Sequence, residues 1–226
     1  MKTKGKCSFC NQLFGKPGMV RHVLSCSKRK ERIKFISEQK NTNFFLILVE
    51  QEPYWLYMQI PDYCALTHLD DVLRKEWLEC CGHLSSFKIK GIIYDCFHDD
   101  GEDIFGKMPE SMDVKLKDVL KPGVIFTHDY DFGSTTTLRL KVVAHYKEPF
   151  SNQISIIAQN EQPEFPCELC GKVSESICAF CHETVCSKCI KKHACESGEY
   201  PDAYMLPLVN SPRTGICGYV GKLMRV

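Results

Sequence analysis

Residues 44–60 read Phe-Phe-Leu-Ile-Leu-Val-Glu-Gln-Glu-Pro-Tyr-Trp-Leu-Tyr-Met-Gln-Ile. Two apolar and aromatic runs, 44–49 and 54–60, stand on either side of Gln51-Glu52-Pro53. Runs of that length broken by a turn signal read as two strands. Neither is a membrane span. The longest purely apolar run is 44–49, far short of the ~20 residues a helix needs to cross a bilayer.

Downstream the period changes. Leu66, Leu69, Val72, Leu73 and Trp77 recur at helical spacing, and Thr67 with Asp70 three later reads as an N-terminal cap. Residues 87–89 and 92–94 read as short strands meeting near Gly91, 98–112 as a polar loop, and 114–120 as a short helix stopped by Lys121-Pro122-Gly123. Segments 124–132 and 136–143 then form a hairpin. A loop of Gly133 to Thr135 pairs Phe132 with Thr136, Tyr130 with Leu138, His128 with Leu140 and Phe126 with Val142, which makes one face mostly apolar. In that register Asp129 faces Arg139 as a cross-strand ion pair and Asp131 faces Thr137. Asp131-Phe132-Gly133 also spells a kinase metal motif, but no Gly-rich loop or catalytic-loop motif accompanies it. Strands and helices together give an α+β fold with a central mixed α/β-sheet domain at 41–160.

Four segments of this centre carry a resemblance: Tyr54-Trp55-Leu56-Tyr57-Met58-Gln59-Ile60-Pro61, Leu66-Thr67-His68-Leu69, Gly82-His83-Leu84-Ser85-Ser86-Phe87-Lys88-Ile89, and Tyr130-Asp131-Phe132-Gly133-Ser134. In this order they look like the pRiA plasmid ORF-three-like domain, over about residues 44–146. The resemblance implies an α+β fold and no established reaction. Many members follow the Gly with Asp and place Trp and His soon after. Here Ser134-Thr135-Thr136-Thr137 stands instead, which implies an altered site. His83, behind Cys80-Cys81-Gly82, has two readings: a structural His after a helix-ending Gly, or the base of a Cys81–His83 pair. Cys64 and Cys96 read as small hydrophobes.

Outside this centre the chain is rich in cysteine. Fifteen cysteines in 226 residues ask for a reason, and ten fall in the windows 7–26 and 167–195. The N-terminus shows no secretory signal, so a cytoplasmic location with reduced thiols is the expectation. Two thiolates three residues apart on a tight turn suit one metal ion.

Cys7, Cys10, His22 and Cys26 give CxxC, eleven residues, then HxxxC. Positions i and i+4 share one helix face, so His22 and Cys26 can complete the ion that the CxxC knuckle presents. This is the logic of a ββα zinc finger at 1–40, with Phe14 and Met19 where such fingers keep core residues and a loop one residue short. The last module, 161–199, holds Cys167/Cys170, Cys178/Cys181 and Cys186/Cys189, then His193 and Cys195. Interleaving is the easier arrangement: Cys167, Cys170, Cys186 and Cys189 in one site, Cys178, Cys181, His193 and Cys195 in the other. The pattern resembles the cross-brace of B-box and HIT-type zinc fingers, which implies a protein-binding module. The HxC ending is tight, so His182 or Cys217 can stand in for Cys195. The expectation is three zinc ions, each with four protein ligands and no open position for catalysis.

Net charge is +1, but residues 1–40 carry +9 and the rest −8. A basic end on an acidic body points to nucleic acid, with Arg21, Lys28, Arg29 and Arg32 as candidate contacts. One finger covers only about three base pairs. The leading expectation is therefore a zinc-binding adaptor that meets nucleic acid through the finger and protein through the cross-brace. An enzyme with a site near His83, Asp129 and Asp131 is one alternative, and a pure protein-interaction component with structural zinc is the other. Residues 200–226, rich in Pro and Gly, read as an ordered extended tail packed on another part of the protein.

Overall fold

In the computed structural model residues 3–34, 41–96, 108–149, 154–195 and 204–222 are described. The finger supplies β1 (Lys4–Cys7), β2 (Leu13–Gly15), α1 (Lys16–Ser25) and α2 (Ser27–Lys34). The apolar runs become β3 (Asn41–Gln51) and β4 (Tyr54–Pro61), which pair antiparallel from Phe44↔Pro61 to Gln51↔Tyr54 around the Glu52-Pro53 turn. Then come α3 (Leu66–Leu73), β5 (Ser85–Ile89), β6 (Ile92–Asp95), β7 (Glu110–Ser111), α4 (Leu116–Val119), β8 (Ile125–Tyr130), β9 (Thr136–Pro149) and β10 (Ser155–Asn160). The cross-brace adds β11 (Ser176–Cys178) and β12 (Thr184–Val185), and the tail adds β13 (Met205–Pro207). The fold is α+β.

Ten strands form one sheet in the order β2-β1-β10-β4-β3-β9-β8-β5-β6-β7. Every described neighbour pair is antiparallel except β6 with β7. Successive side chains of a strand point to opposite faces. Phe45, Ile47 and Val49, with Leu56, Met58 and Ile60, pack under Leu66, Leu69 and Leu73 of α3 and under Trp77. Leu46, Leu48, Trp55 and Tyr57 face the other way and meet Met19 and Val23 of the finger helix. Both faces of β3 and β4 are therefore covered, which is why their apolar runs are nearly continuous rather than alternating.

The finger is thus a second layer on the core. Its hairpin extends the sheet, with Gly5 opposite Asn160 and Cys7 opposite Ala158. Glycine is required at position 5, because a Cβ there would lie 2.3 Å from the Trp55 ring and 2.6 Å from the Gln159 carbonyl. The charge split along the chain serves this docking. Lys16 bridges Glu50 and Glu52 at 2.6 Å each, and buried Arg29 reaches Glu148 at 2.7 Å.

Several expectations change. Thr67 is not the cap: Ala65 is, and its N–H donates to His68 Nδ1 at 3.2 Å. The helix ends at Leu73 and continues as one π-helical turn, Arg74–Leu78, closed by donation from the Glu79 N–H to the Arg74 carbonyl at 2.8 Å. The β8–β9 register is shifted by two: Tyr130 pairs with Thr136, His128 with Leu138 and Phe126 with Leu140. The shift arises because Asp131 leaves the strand at φ +64° and its carboxylate accepts from the Gly133 and Ser134 N–H groups. The apolar face survives, since a shift of two keeps side chains on the same side. The Asp129–Arg139 pair does not form: Asp129 accepts from Thr137 Oγ1 at 2.6 Å, and Arg139 bonds Glu50. Cys64 is buried as expected but Cys96 is exposed. Of the loop read at 98–112, residues 98–107 lie outside the described residues, and β7 occupies part of the remainder.

The tail ties the cross-brace to the core. Its β13 pairs with β11, and Asn160 and Asn210 exchange hydrogen bonds at 2.9 and 2.6 Å. Ser211 Oγ donates to the Trp77 carbonyl at 2.6 Å, and fully buried Arg213 forms an ion pair with Asp131.

Candidate metal centres

Cys7 closes β1, Cys10 sits in the knuckle, His22 projects from α1 and Cys26 follows that helix. The knuckle is shaped by donation from the Cys7 N–H to the Gln12 carbonyl and from the Asn11 N–H to the Cys7 carbonyl, with Asn11 at φ +62°. The four ligand atoms lie within 4.8 Å of one another, with Cys10 Sγ 3.2 Å from His22 Nε2. Phe14 stacks on the His22 ring at 4.1 Å, fixing its direction. Burial pushes the His22 pKa down, which keeps the imidazole neutral, as a ligand must be. Burial opposes ionisation of Cys26, but donation from the Arg29 amide and from the Cys10 and Cys7 thiols outweighs it and holds that thiol below its usual range.

The C-terminal donors gather in two interleaved groups. Cys167, Cys170, Cys186 and Cys189 form one, with Cys170 and Cys186 sulfurs 3.7 Å apart. Cys178, Cys181, His193 and Cys195 form the other, with 3.9 Å between the Cys178 and Cys195 sulfurs and 3.5 Å from Cys181 Sγ to His193 Nε2. A tetrahedral ion with metal–sulfur bonds of about 2.3 Å sets sulfurs about 3.8 Å apart. The donor sets therefore fit a thiophilic ion without rearrangement. Donation from the Cys186 amide, helped by those of Leu169 and Cys170 against burial, brings the Cys167 thiol down to about 6. Glu183 Oε2 stands 3.2 Å from His193 Nδ1, close enough for charge attraction though without hydrogen-bond geometry. His182 is outside the group, at φ +61° in the turn after Cys181. Cys217 lies instead beside Cys80, Cys81 and His83.

The four candidate cations divide. Arg21, Lys28 and Arg32 are exposed, with Lys28 paired to Glu31 at 3.0 Å. Arg29 is 2% exposed and donates to the Val23 carbonyl, Gln59, Tyr146 and Glu148. It faces the sheet and cannot meet a phosphate. Asp129 and Asp131 are not assembled into one site. Asp131 accepts from two backbone amides and from Arg213, whose guanidinium holds its carboxyl below the usual range. His83 Nδ1 is 3.6 Å from Asp131 Oδ1 and its Nε2 is 3.3 Å from Cys217 Sγ.

One buried polar pair has no sequence signal that joins it. His128, fully buried on the apolar face of β8, lies 2.6 Å from Asp70 Oδ1 on α3. Burial raises the Asp70 pKa, but the His128 contact and Ser85 outweigh it, and the net shift is downward. Strand alternation places His128 inward; nothing local says that an Asp fifty-eight residues earlier meets it.

No family model matches the chain, and no curated protein does. Among solved structures, the crystal structure of a protein of unknown function from Methanosarcina mazei Go1 is similar over 53% of this chain and 68% of its own, at 16% identity and a TM-score of 0.41.

Proposed function

We propose that the chain is an intracellular zinc-dependent binding protein. Its metal centres hold the fold, the cross-brace contacts a protein, and the finger contacts a nucleic-acid backbone without reading bases. The observation that carries this reading is the closure of the finger and cross-brace donor sets: each offers four protein ligands, and a four-ligand zinc has no position for a reacting water. The ordered motifs of residues 44–146 support membership of the pRiA plasmid ORF-three-like domain family for the centre, with no reaction attached.

Base reading is argued against by the finger's own residues. Fingers that read bases use positions −1, 3 and 6 of the helix. Here these fall on Gly15, Gly18 and Arg21, so only one carries a side chain. The apolar side of α1 is spent on the sheet. Among the described residues, Lys4, Lys6, Arg21, Lys30 and Arg32 stay exposed with no ion pair, and these are the phosphate contacts of the proposal. The cross-brace exposes Leu169, Val173 and Phe180, at 48%, 55% and 54%, which fits a protein-binding surface. The enzyme alternative loses ground because the Asp131 carboxylate is fully engaged by the chain itself.

The test is binding of the zinc-loaded protein to single- and double-stranded DNA and RNA across a salt series, beside an Arg21→Glu, Lys30→Glu, Arg32→Glu variant. Deleting residues 1–40 is a poorer control, because it uncovers Leu46, Trp55 and Tyr57. Five contacts give a slope of log K against log salt of at most about −4.5 on B-DNA. The variant should lose most of that slope. Equal, salt-independent binding by both proteins rejects the nucleic-acid half of the proposal and leaves the protein contact.

A further inference from the structure

The end of the π-helical turn and the tail bring together a fourth donor set. Cys80, Cys81 and His83 follow Leu78, and Cys217 arrives from the tail. Their ligand atoms lie within 4.8 Å of one another, with Cys81 and Cys217 sulfurs 3.9 Å apart and His83 Nε2 3.3 Å from Cys217 Sγ. These edges match those of the other three groups and of a tetrahedral site, about 3.8 Å between sulfurs. We propose that Cys80, Cys81, His83 and Cys217 bind a fourth zinc ion that clasps the tail to the core.

Three further features fit a metal centre and not a chance meeting of thiols. His83 presents Nε2 to the cluster while Nδ1 faces the Asp131 carboxylate at 3.6 Å. That distance is longer than a hydrogen bond, but it sets a carboxylate on the far side of the ring from the cluster, where a zinc-bound His keeps its outer partner. Three thiolates, one neutral His and a dication sum to one negative charge, and Arg213 lies on that charge, with Nη2 3.7 Å from Cys80 Sγ. The backbone is also bent to deliver the donors: Gly82 has φ +74° and Cys217 itself φ +50°. A non-glycine residue in that region is uncommon and needs a compensating interaction.

The 208–222 stretch carries the chain from β13, which pairs with the cross-brace strand β11, onto the core, and Cys217 is its ligand there. Cys81 and Cys217 are exposed, whereas each of the other three groups has at least two buried donors. The fourth ion therefore exchanges first with a chelator, and its loss frees the tail while the other three hold.

Native mass spectrometry of the zinc-loaded protein should count four ions, and both His83→Ala and Cys217→Ser should count three. Iodoacetamide labelling of the unmutated, loaded protein needs no variant. Outside the four groups the only cysteines are Cys64, which is buried, and Cys96, which is exposed. Cys96 alone should label rapidly, and a short chelator treatment should add Cys80, Cys81 and Cys217 before any other. Three ions in the unmutated protein, with Cys81 and Cys217 labelling as fast as Cys96, overturns the proposal. So does a Cys81–Cys217 disulfide, read as a cross-linked peptide two hydrogens lighter. Neither result touches the closure of the other three sites or the binding function proposed for the chain.

Discussion

Arg29→Ala separates a cation that docks the finger from one that meets phosphate. The guanidinium is 2% exposed and donates to the Val23 carbonyl, Gln59 Oε1, Tyr146 Oη and Glu148 Oε2, at 3.2, 3.3, 2.9 and 2.7 Å. It also lies 5.0 Å from the Tyr146 ring centroid. Removing one partner of a buried ion pair costs about 3–5 kcal/mol, because the other charge stays behind. Two features hold the expected loss near the lower end. The Glu148 side chain is 20% exposed, so water solvates part of the carboxylate left behind. Burial already pushes the Glu148 pKa up even beside Arg29, so removing the cation raises it further and makes the carboxylate easier to neutralise. About 3 kcal/mol is expected at neutral pH. With a urea slope of about 2 kcal/mol/M, the midpoint falls by about 1.5 M in zinc-saturated buffer. Arg32→Ala, on the exposed side of α2, should stay within about 0.5 kcal/mol. Glu148→Gln added to Arg29→Ala should recover part of the loss. An Arg29→Ala midpoint indistinguishable from that of Arg32→Ala, with nucleic-acid binding reduced instead, would refute the inward role of Arg29.

Two other perturbations probe the same architecture. Gly5→Ala puts a Cβ 2.3 Å from the Trp55 ring and 2.6 Å from the Gln159 backbone carbonyl, so the β1–β10 seam must open. The expected loss is about 1–3 kcal/mol with a change in tryptophan fluorescence, and an unchanged midpoint counts against the docked hairpin. Asp70→Asn tests the buried pair with His128 through pH. The Asp70 pKa is lowered in the fold, so its stabilising contribution is complete above the ordinary carboxylate value and is lost as pH falls through the folded one. Urea midpoints of the unmutated protein and of Asp70→Asn should therefore differ at pH 7 and converge below about pH 4. Both proteins keep the same four Cys/His donor sets, so the difference between them reports Asp70. A gap that widens on acidification has the wrong sign for this account.

Metal-ligand spacing is a local property, and most of the donor sets were legible for that reason. A CxxC turn and a His one helical turn before a Cys place their atoms within reach of one ion whatever the rest of the chain does. The structure gathers Cys7, Cys10, His22 and Cys26, and it gathers the C-terminal donors in the interleaved order. The strands of the core were legible too, since β3 and β4 are apolar enough to need no partner to be recognised. A hairpin register is less local: two candidate pairings differing by two residues bury the same face, and the choice fell to the carboxylate of Asp131 turning the chain early. The basic N-terminus was visible as a charge, but charge has no direction in a sequence. Only the packed structure turns Lys16 and Arg29 inward on Glu50, Glu52 and Glu148 while leaving Arg21 and Arg32 in water.

The chain's own order therefore determines the α+β class, the central strands β3 to β6, β8 and β9, and three donor sets, because each follows from a continuous run or from spacings within one short segment. Tertiary structure alone decides that the finger is a layer of the core, that Asp70 meets His128, and that Cys217 crosses one hundred and thirty-four residues to His83. Those contacts pair groups whose partners could lie anywhere in the chain, and burial selects among them only once both faces of the sheet are being covered.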